Sequence, residues 1–473
     1  MESSAGQQTV ESRFDARIGW ALAALACALG LMRFVRLEAW SLWIDEVYTM
    51  ADALHGEGLR NPVGYVLFEW LLEALPGRAT EAQLRWIPAV AGWISIPLAF
   101  ACLRPLGGSV VAGAVALILA ASNWHLYWSQ TARFYTLALD LLLIGGVVLG
   151  RGFRTNGLVW VLVGLALIGV GGLTHPSVLF VLPACIVGPL LLKRLGTPVC
   201  EPRVARLLIA LAIVAVVAGT PWGLEVWRKW QETQKTASPA HFVLTTGFYI
   251  SPALGAAALW GAWLAWKGRQ PGQRFVLLLV VSSVAVAMIA SIVSRVSAQY
   301  VFVLLPWIAF LAALPLRGET VPRMWRAAYL GLLVIPLLVQ CMLYFTTRHG
   351  ERPRWREAYE YVWDQRGEHD LVFGMEAPVG EYYLSPLETD LRDLQRRVAY
   401  LDTFRSESPV AWDRYGRTSW FVVNHEQLED WANERDRWAF EDLLRTECTL
   451  MASFPVQMEA RDINVWVYRR AGR

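Results

Sequence analysis

Charge is scarce in this sequence. Asp, Glu, Lys and Arg together supply 18% of the 473 residues, whereas 55% are hydrophobic, a balance far from that of soluble domains. Such a chain has to be read with lipid as its solvent. The charge that exists nearly cancels, at +3, and no run of Lys and Arg forms a stripe, which excludes nucleic acid as a partner. Cysteine is equally thin. The six residues at 27, 102, 185, 200, 341 and 448 show no C-x-x-C and no Cys/His spacing, so neither a disulfide framework nor a thiolate metal site is indicated. There is no Walker loop, no G-x-G-x-x-G after a strand and no H-E-x-x-H, which removes nucleotide-driven transport and zinc proteolysis. There is no convincing internal repeat either, and that weighs against a transporter or flippase built from repeats.

What is abundant is tryptophan, 24 in all. Many stand where apolar runs end, among them Trp20, Trp40, Trp43, Trp124, Trp128, Trp222, Trp307 and Trp325, as expected of rings that hold an N–H near lipid headgroups. With roughly 20 apolar residues as the template for a span, eleven candidates emerge. They lie near 17–37, 85–104, 108–127, 134–150, 157–174, 176–193, 204–221, 246–266, 274–294, 298–316 and 325–346. The polar start, MESSAGQQTVESRFDAR, reads as a cytoplasmic tail before a retained first span. Each loop on the tail's side then carries Arg or Lys, in agreement with the positive-inside rule.

The opposite side receives 38–84, the turn SNWHLYWSQTARFY, 222–245 and everything after about 347. Within the first of these loops, NPVGYVLFEWLLEALPG has helical period but is too short to span and contains Glu69 and Glu73, the pattern of an interfacial helix. After 347 short strand-like runs (DLVFGM, RRVAYL, SWFVVN, NVWVYRR) alternate with helix-like ones, including one long amphipathic stretch, LEDWANERDRWAFEDLLR. The expected architecture is therefore a polytopic α-helical membrane protein, residues 1–346, with an extracytoplasmic C-terminal α/β domain, 347–473.

Four constellations can carry chemistry. Asp45 and Glu46, in SLWIDEVYTM just beyond the first span, can serve as a general base or together ligate a divalent cation; as plain structure they are a solvated loop pair. In YWSQTARFYTLALD, Arg133 with Tyr135 offers a planar fork to a lipid phosphate, and Asp140 seven residues on falls on the same helical face. The plain readings are a snorkelling Arg and an intramembrane Asp paired with a neighbouring Arg. His175, in GGLTHPSVLF, can touch a substrate or a metal, or simply be a hydrogen-bonded residue before Pro176. In SRVSAQYVFVLLP, Arg295 shares a helical face with Gln299 and stands near Tyr300, a second anchor for an anion or another snorkel.

Taken together, the Asp-Glu pair after span one, SQTARFY after span three, Thr174-His175 in the fifth span, the QYVFVLLP span and the tail RWREAYEYV…DLVFG…EYYL resemble the GT-C membrane glycosyltransferases. Among these the chain is most similar to bacterial members of the protein mannosyltransferase and aminoarabinose transferase superfamily. The resemblance implies transfer of a sugar from a polyprenyl-phosphate donor to a glycan, lipid or protein acceptor on the extracytoplasmic face, with membrane lipids as surroundings. It places the catalytic base at Asp45 with Glu46 as partner, and a single displacement with one base implies inversion. The chain departs from the pattern at Thr131, where relatives often carry an acid, at Asn61-Pro62-Val63, and at Gln299-Tyr300 in place of Arg-Tyr. Outside this class, a transporter for a lipid-linked or anionic substrate and a non-catalytic membrane scaffold remain the competing readings.

Overall fold

The computed structural model describes residues 12–55, 61–75, 79–196, 201–232, 237–317, 322–384, 398–400, 417–429, 431, 433–458 and 461–472. The chain forms two compact units. One comprises Met1–Val35, Gly58–Leu67 and Trp86–Cys341, the other Arg36–Glu57, Phe68–Arg85 and Met342–Arg473. The break at Cys341–Met342 lies close to the expected division at 346, and most of the first outer loop clusters with the C-terminal residues. The reason is a set of hydrogen bonds described below, which tie residues 38–42 and 79–81 to the tail.

The first unit is helical, and every one of the eleven candidate spans falls on a helix. Among the described residues seven helices are long and apolar enough to cross a membrane, or up to nine if each of two bent pairs is one span. Ser109–Ala121 and Asn123–Ser129 meet at 63°, and Pro239–Ile250 and Pro252–Gly268 at 95°. Both breaks have local causes. The Ser122 hydroxyl accepts the His125 amide at 3.2 Å and so starts a new helix. Ser251, at φ 66°, precedes Pro252, which suits a first helical position. Leu158–Thr174 is a shorter apolar helix, and 204–221 lies inside Pro202–Glu232. The chain is a multi-pass membrane protein, and its outward apolar side chains, such as Val217, Leu224, Leu259, Ile289 and Ile292, are exposed as lipid-facing residues are.

Small residues set how closely these helices approach, as lipid-immersed helices require. Arg13–Gly30 packs along Ser109–Ala121, where a Cβ added at Gly113 would stand 2.5 Å from the Gly19 carbonyl oxygen. At Gly261 an added Cβ would overlap the Leu311 carbonyl.

The second unit holds a five-stranded sheet: β1 (Leu371–Gly374), β2 (Val398–Tyr400), β3 (Ser419–Asn424), β4 (Thr449–Phe454) and β5 (Val465–Arg470), in the order β2-β1-β3-β5-β4. The strands β2, β1 and β3 run parallel; β5 and β4 pair antiparallel. Phe373, Phe421, Val423 and Leu428 pack against Phe440 and Leu444 to form its core. The expected long amphipathic helix is two helices, His425–Glu429 and Glu434–Glu447. The second starts afresh because the Asn433 side chain accepts the amides of Arg435 and Asp436.

Where the last span gives way to this unit, three successive residues are left-handed: His349 (φ 48°), Gly350 (φ 63°) and Glu351 (φ 56°). For the two with side chains this backbone costs roughly 1–2 kcal/mol each. Neighbours hold it in place. Arg352 donates to the Gly350 carbonyl at 2.7 Å, Arg348 pairs with Glu351 at 3.5 Å, and the Trp40 ring stands edge-on to His349 at 5.2 Å. Burial, with Arg354, Arg352 and Arg356 nearby and Glu357 opposing, lowers the His349 pKa to about 4 from 6.5. The unfolded chain therefore binds a proton there that the native state refuses, so stability falls as pH drops from 6.5 towards 4. Thermal unfolding of His349→Gln should lose that part of the acid sensitivity; an unchanged pH slope of Tm would contradict it.

Candidate active site

The two adjacent carboxylates are not in a loop. They occupy the first turn of a helix, Ile44–His55, a position that favours negative charge. Their surroundings then separate them completely. Glu46 is fully buried. Its Oε1 accepts Arg85 Nε at 2.8 Å and its Oε2 accepts Arg85 Nη2 at 2.9 Å, a bidentate pair. Oε2 also takes the Trp43 amide at 2.9 Å, as the third helical residue does in a capping box, and lies 3.4 Å from Arg352 Nε. Asp45, one residue earlier, is only partly buried.

Arg85 does more than neutralise Glu46. Its Nη1 donates to the carbonyls of Leu37 at 2.7 Å and Trp40 at 3.0 Å, and its Nη2 to that of Ser41 at 2.9 Å. The segment 37–46 is thus folded around one guanidinium. The tail motif secures it from another side. The Leu42 amide donates to the Tyr383 hydroxyl at 2.6 Å, which donates on to Glu81 at 3.2 Å. Arg356 reaches the Glu38 carbonyl at 2.8 Å and Glu81 at 2.5 Å, while its own amide meets Ser41 Oγ at 3.1 Å. Arg352 completes the set through the Tyr344 hydroxyl at 3.1 Å. The tail motif and the Asp-Glu motif are therefore parts of one construction.

A further carboxyl stands at its edge. Glu376 stands two residues past the end of β1, is 2% exposed, and accepts a hydrogen bond from Gln427 Nε2. Burial raises its pKa well above the ordinary 4.5; the charges of Asp45 and Glu426 push the same way, against Arg461 and the hydrogen bond of the Ile44 amide.

In the first unit the remaining expected residues fall into two groups. The Tyr135 ring lies tilted, 4.2 Å from the His175 ring, which is 6.2 Å from the Tyr300 ring, and the Arg133 charge acts on His175. His175 Nδ1 lies 2.8 Å from Ser177 Oγ. Arg133, Tyr135, His175 and Tyr300 are thus brought together. Asp140 is not part of that group. The helix begins at Tyr135, so Arg133 precedes it and the expected shared face does not exist. Asp140 is buried in the span, with Oδ1 lacking a hydrogen-bond partner among the described residues. The expected Arg295–Gln299 face is also absent, because residues 295–297 are non-helical and lie between two helices; Arg295 is half-buried there.

The SQTARFY stretch is held by residues that carry no obvious motif. Gln130 Nε2 donates to the carbonyls of Arg33 at 3.2 Å and Val35 at 2.8 Å. Arg33, fully buried, lies 2.8 Å from His125 Nδ1 and donates to the Leu119 carbonyl at 2.8 Å; His125 Nε2 lies 2.8 Å from Ser95 Oγ. Because Nδ1 accepts from a guanidinium, the proton of this imidazole sits on Nε2. Thr131, where relatives often carry an acid, is fully buried and donates to the Tyr127 carbonyl at 2.7 Å.

Sequence reasoning missed Arg85, Arg352, Glu376 and Arg33. A charge adjoining an apolar span marks Arg85 and Arg33, and a polar residue at the carboxyl end of a parallel strand marks Glu376. The expected divalent cation does not fit the donors present. Glu46 is committed to Arg85, and among the described residues no three His, Cys, Asp or Glu side chains gather to hold an ion.

Comparison in three dimensions relates the chain to ArnT from Cupriavidus metallidurans. The TM-score is 0.59 at 15% identity, over 97% of this chain and 100% of that one. ArnT bound to undecaprenyl phosphate gives 0.56 at 16%, over 96% and 99%. The oligosaccharyltransferase of Archaeoglobus fulgidus gives 0.56 at 10%, over 88% of this chain and 71% of that one. These neighbours are GT-C glycosyltransferases, and the chain has their fold. No protein-family model and no curated protein sequence matches it.

Proposed function

We propose that this chain is a membrane glycosyltransferase that moves a sugar from a polyprenyl-phosphate donor to an acceptor hydroxyl or amine on the extracytoplasmic face. One observation carries the reading. On a fold matched over the whole of ArnT, the Asp-Glu pair after the first span resolves into a locked Glu46 and a half-buried Asp45. A general base needs an accessible oxygen held in a fixed frame, and a part-exposed Asp45 in the first turn of a helix, next to the locked Glu46, suits that role. Glu46 is its positioning residue.

In the proposed reaction the acceptor oxygen or nitrogen attacks the anomeric carbon and yields its proton to Asp45. The bond from that carbon to the phosphate oxygen breaks, and polyprenyl phosphate departs with the electron pair. Attack opposite the leaving group inverts the anomeric centre. The departing phosphate needs cations and donors that are already in place. Arg133, with Tyr135, His175 and Tyr300 around it, supplies such a group, and Arg295 is a second candidate for the same charge. ArnT was crystallised with undecaprenyl phosphate, which supports this donor class.

Donor binding tests the assignment. Arg133→Ala should weaken binding of undecaprenyl phosphate to the detergent-solubilised protein by roughly tenfold or more, the scale of losing a charge-assisted pair. Unchanged affinity would remove Arg133 from the donor site. Transfer from a radiolabelled polyprenyl-phosphate sugar to membrane glycans tests the reaction itself.

A further inference from the structure

Arg133 emerges from a stretch of chain that is otherwise sealed. From residue 111 to residue 136 it alone is partly exposed, and every other side chain is buried. Yet no helix fixes it, because residues 130–134 form an irregular turn between Asn123–Ser129 and Tyr135–Thr155. We infer that Gln130 is the positioning residue for Arg133: by bonding carbonyls at the end of the first span, it sets the turn that presents the guanidinium to a lipid-linked phosphate. The inference rests on the reading of Arg133 as part of the donor site.

A helix leaves its last carbonyls without partners of its own. Here the helix Arg13–Gly30 runs on into a 3₁₀ turn, Leu31–Phe34, and Gln130 meets the carbonyls that follow. Its Nε2 donates to Arg33 O at 3.2 Å and Val35 O at 2.8 Å, and lies 3.4 Å from Met32 O. The receiving segment is itself fixed. Arg33 donates to the carbonyls of Leu119 at 2.8 Å and Ala120 at 3.3 Å and lies 2.8 Å from His125 Nδ1, which ties it to the bend at Ser122. Beyond Gln130 the turn is short and tight. The Arg133 amide donates to the Thr131 carbonyl at 2.6 Å, and the Arg133 guanidinium lies over the Phe134 ring at 5.2 Å. Phe134 is wedged in turn against Tyr65, ring to ring at 4.9 Å, and against Gly64, where an added Cβ would stand 2.4 Å from it.

Non-helical backbone within a membrane protein has to be satisfied by the protein itself. Gln130 does this as no apolar residue of the same length can. It holds the turn in one shape before a ligand arrives, so that binding the phosphate does not also have to order the arginine. Arg133 follows three residues after the anchor, too soon for the turn to loosen without moving it.

Binding of undecaprenyl phosphate to the detergent-solubilised full chain tests this in wild type, Gln130→Met, Arg133→Ala and the double variant. Gln130→Met should weaken binding roughly threefold to tenfold, the scale of ordering one long side chain on binding. In the Arg133→Ala background the same change should have no further effect, because an anchor acts only through the group that it places. A merely structural role predicts the opposite, a loss that adds to that of Arg133→Ala. Such additivity, or wild-type affinity in Gln130→Met beside a weakened Arg133→Ala, would overturn the inference. Melting curves accompany each protein. If Gln130→Met does not fold, Gln130→Asn carries the same cycle, since its amide is shorter by a methylene group and cannot span to both carbonyls. Wild-type affinity in Arg133→Ala is a different failure: it removes Arg133 from the donor site, and the inference falls with that reading.

Discussion

Asp45→Asn is expected to abolish sugar transfer in a protein that remains folded. A general base contributes about 10²–10⁴-fold to such a step, and asparagine keeps the size of the side chain while removing its proton affinity. Asp45 is partly exposed, so no large change in stability accompanies the loss. The proper measurement is kcat for transfer beside a melting curve of the same preparation. Full activity in Asp45→Asn would sink the assignment of the base and, with it, the distinct roles given to the two neighbouring acids.

The opposite result is expected one residue later. Glu46→Ala should destabilise the second unit by about 3–5 kcal/mol, because Arg85 is left buried and short of its carboxylate. Arg85→Ala should be at least as damaging. It strands Glu46 and also strips donors from the carbonyls of Leu37, Trp40 and Ser41. Buried ion pairs can often be exchanged for apolar pairs without cost, but here the three carbonyls forbid it. Glu46→Met with Arg85→Met should therefore remain close to the Arg85 single variant in Tm rather than return to wild type. A double variant as stable as wild type would show that the carbonyl bonds contribute little.

The membrane part of the fold is legible because an apolar run of about 20 residues fits the thickness of a bilayer, where only a helix can satisfy its backbone from within. Every candidate span proved to be helical. Two of the spans are bent, at Ser122 and Ser251, where a hydroxyl cap or a Ser-Pro step breaks a helix without interrupting hydrophobicity. The strands at SWFVVN and NVWVYRR were equally plain, whereas β4 (TLMASF) has too little alternation to be seen. At the candidate site the sequence disclosed Asp45 and Glu46 as a pair but not the difference between them. That difference comes from Arg85, 39 positions away, and from Arg352, 306 positions away. Arg133 and Asp140 misled because seven residues match two helical turns only if both lie in the helix, and Arg133 does not.

The left-handed turn at His349–Glu351 reverses the usual map of tolerance to mutation. An apolar residue in the neighbouring span, such as Ile335, faces outward, and many apolar replacements serve there equally well. Gly350 is polar territory by position, yet any side chain on it would enter the Trp40 ring, whose nearest atom stands 2.6 Å from the added Cβ. A saturation scan would therefore mark this turn as indispensable and many membrane residues as replaceable. Read without the backbone angles, such a scan would point to a catalytic centre at a place whose demand is wholly one of shape.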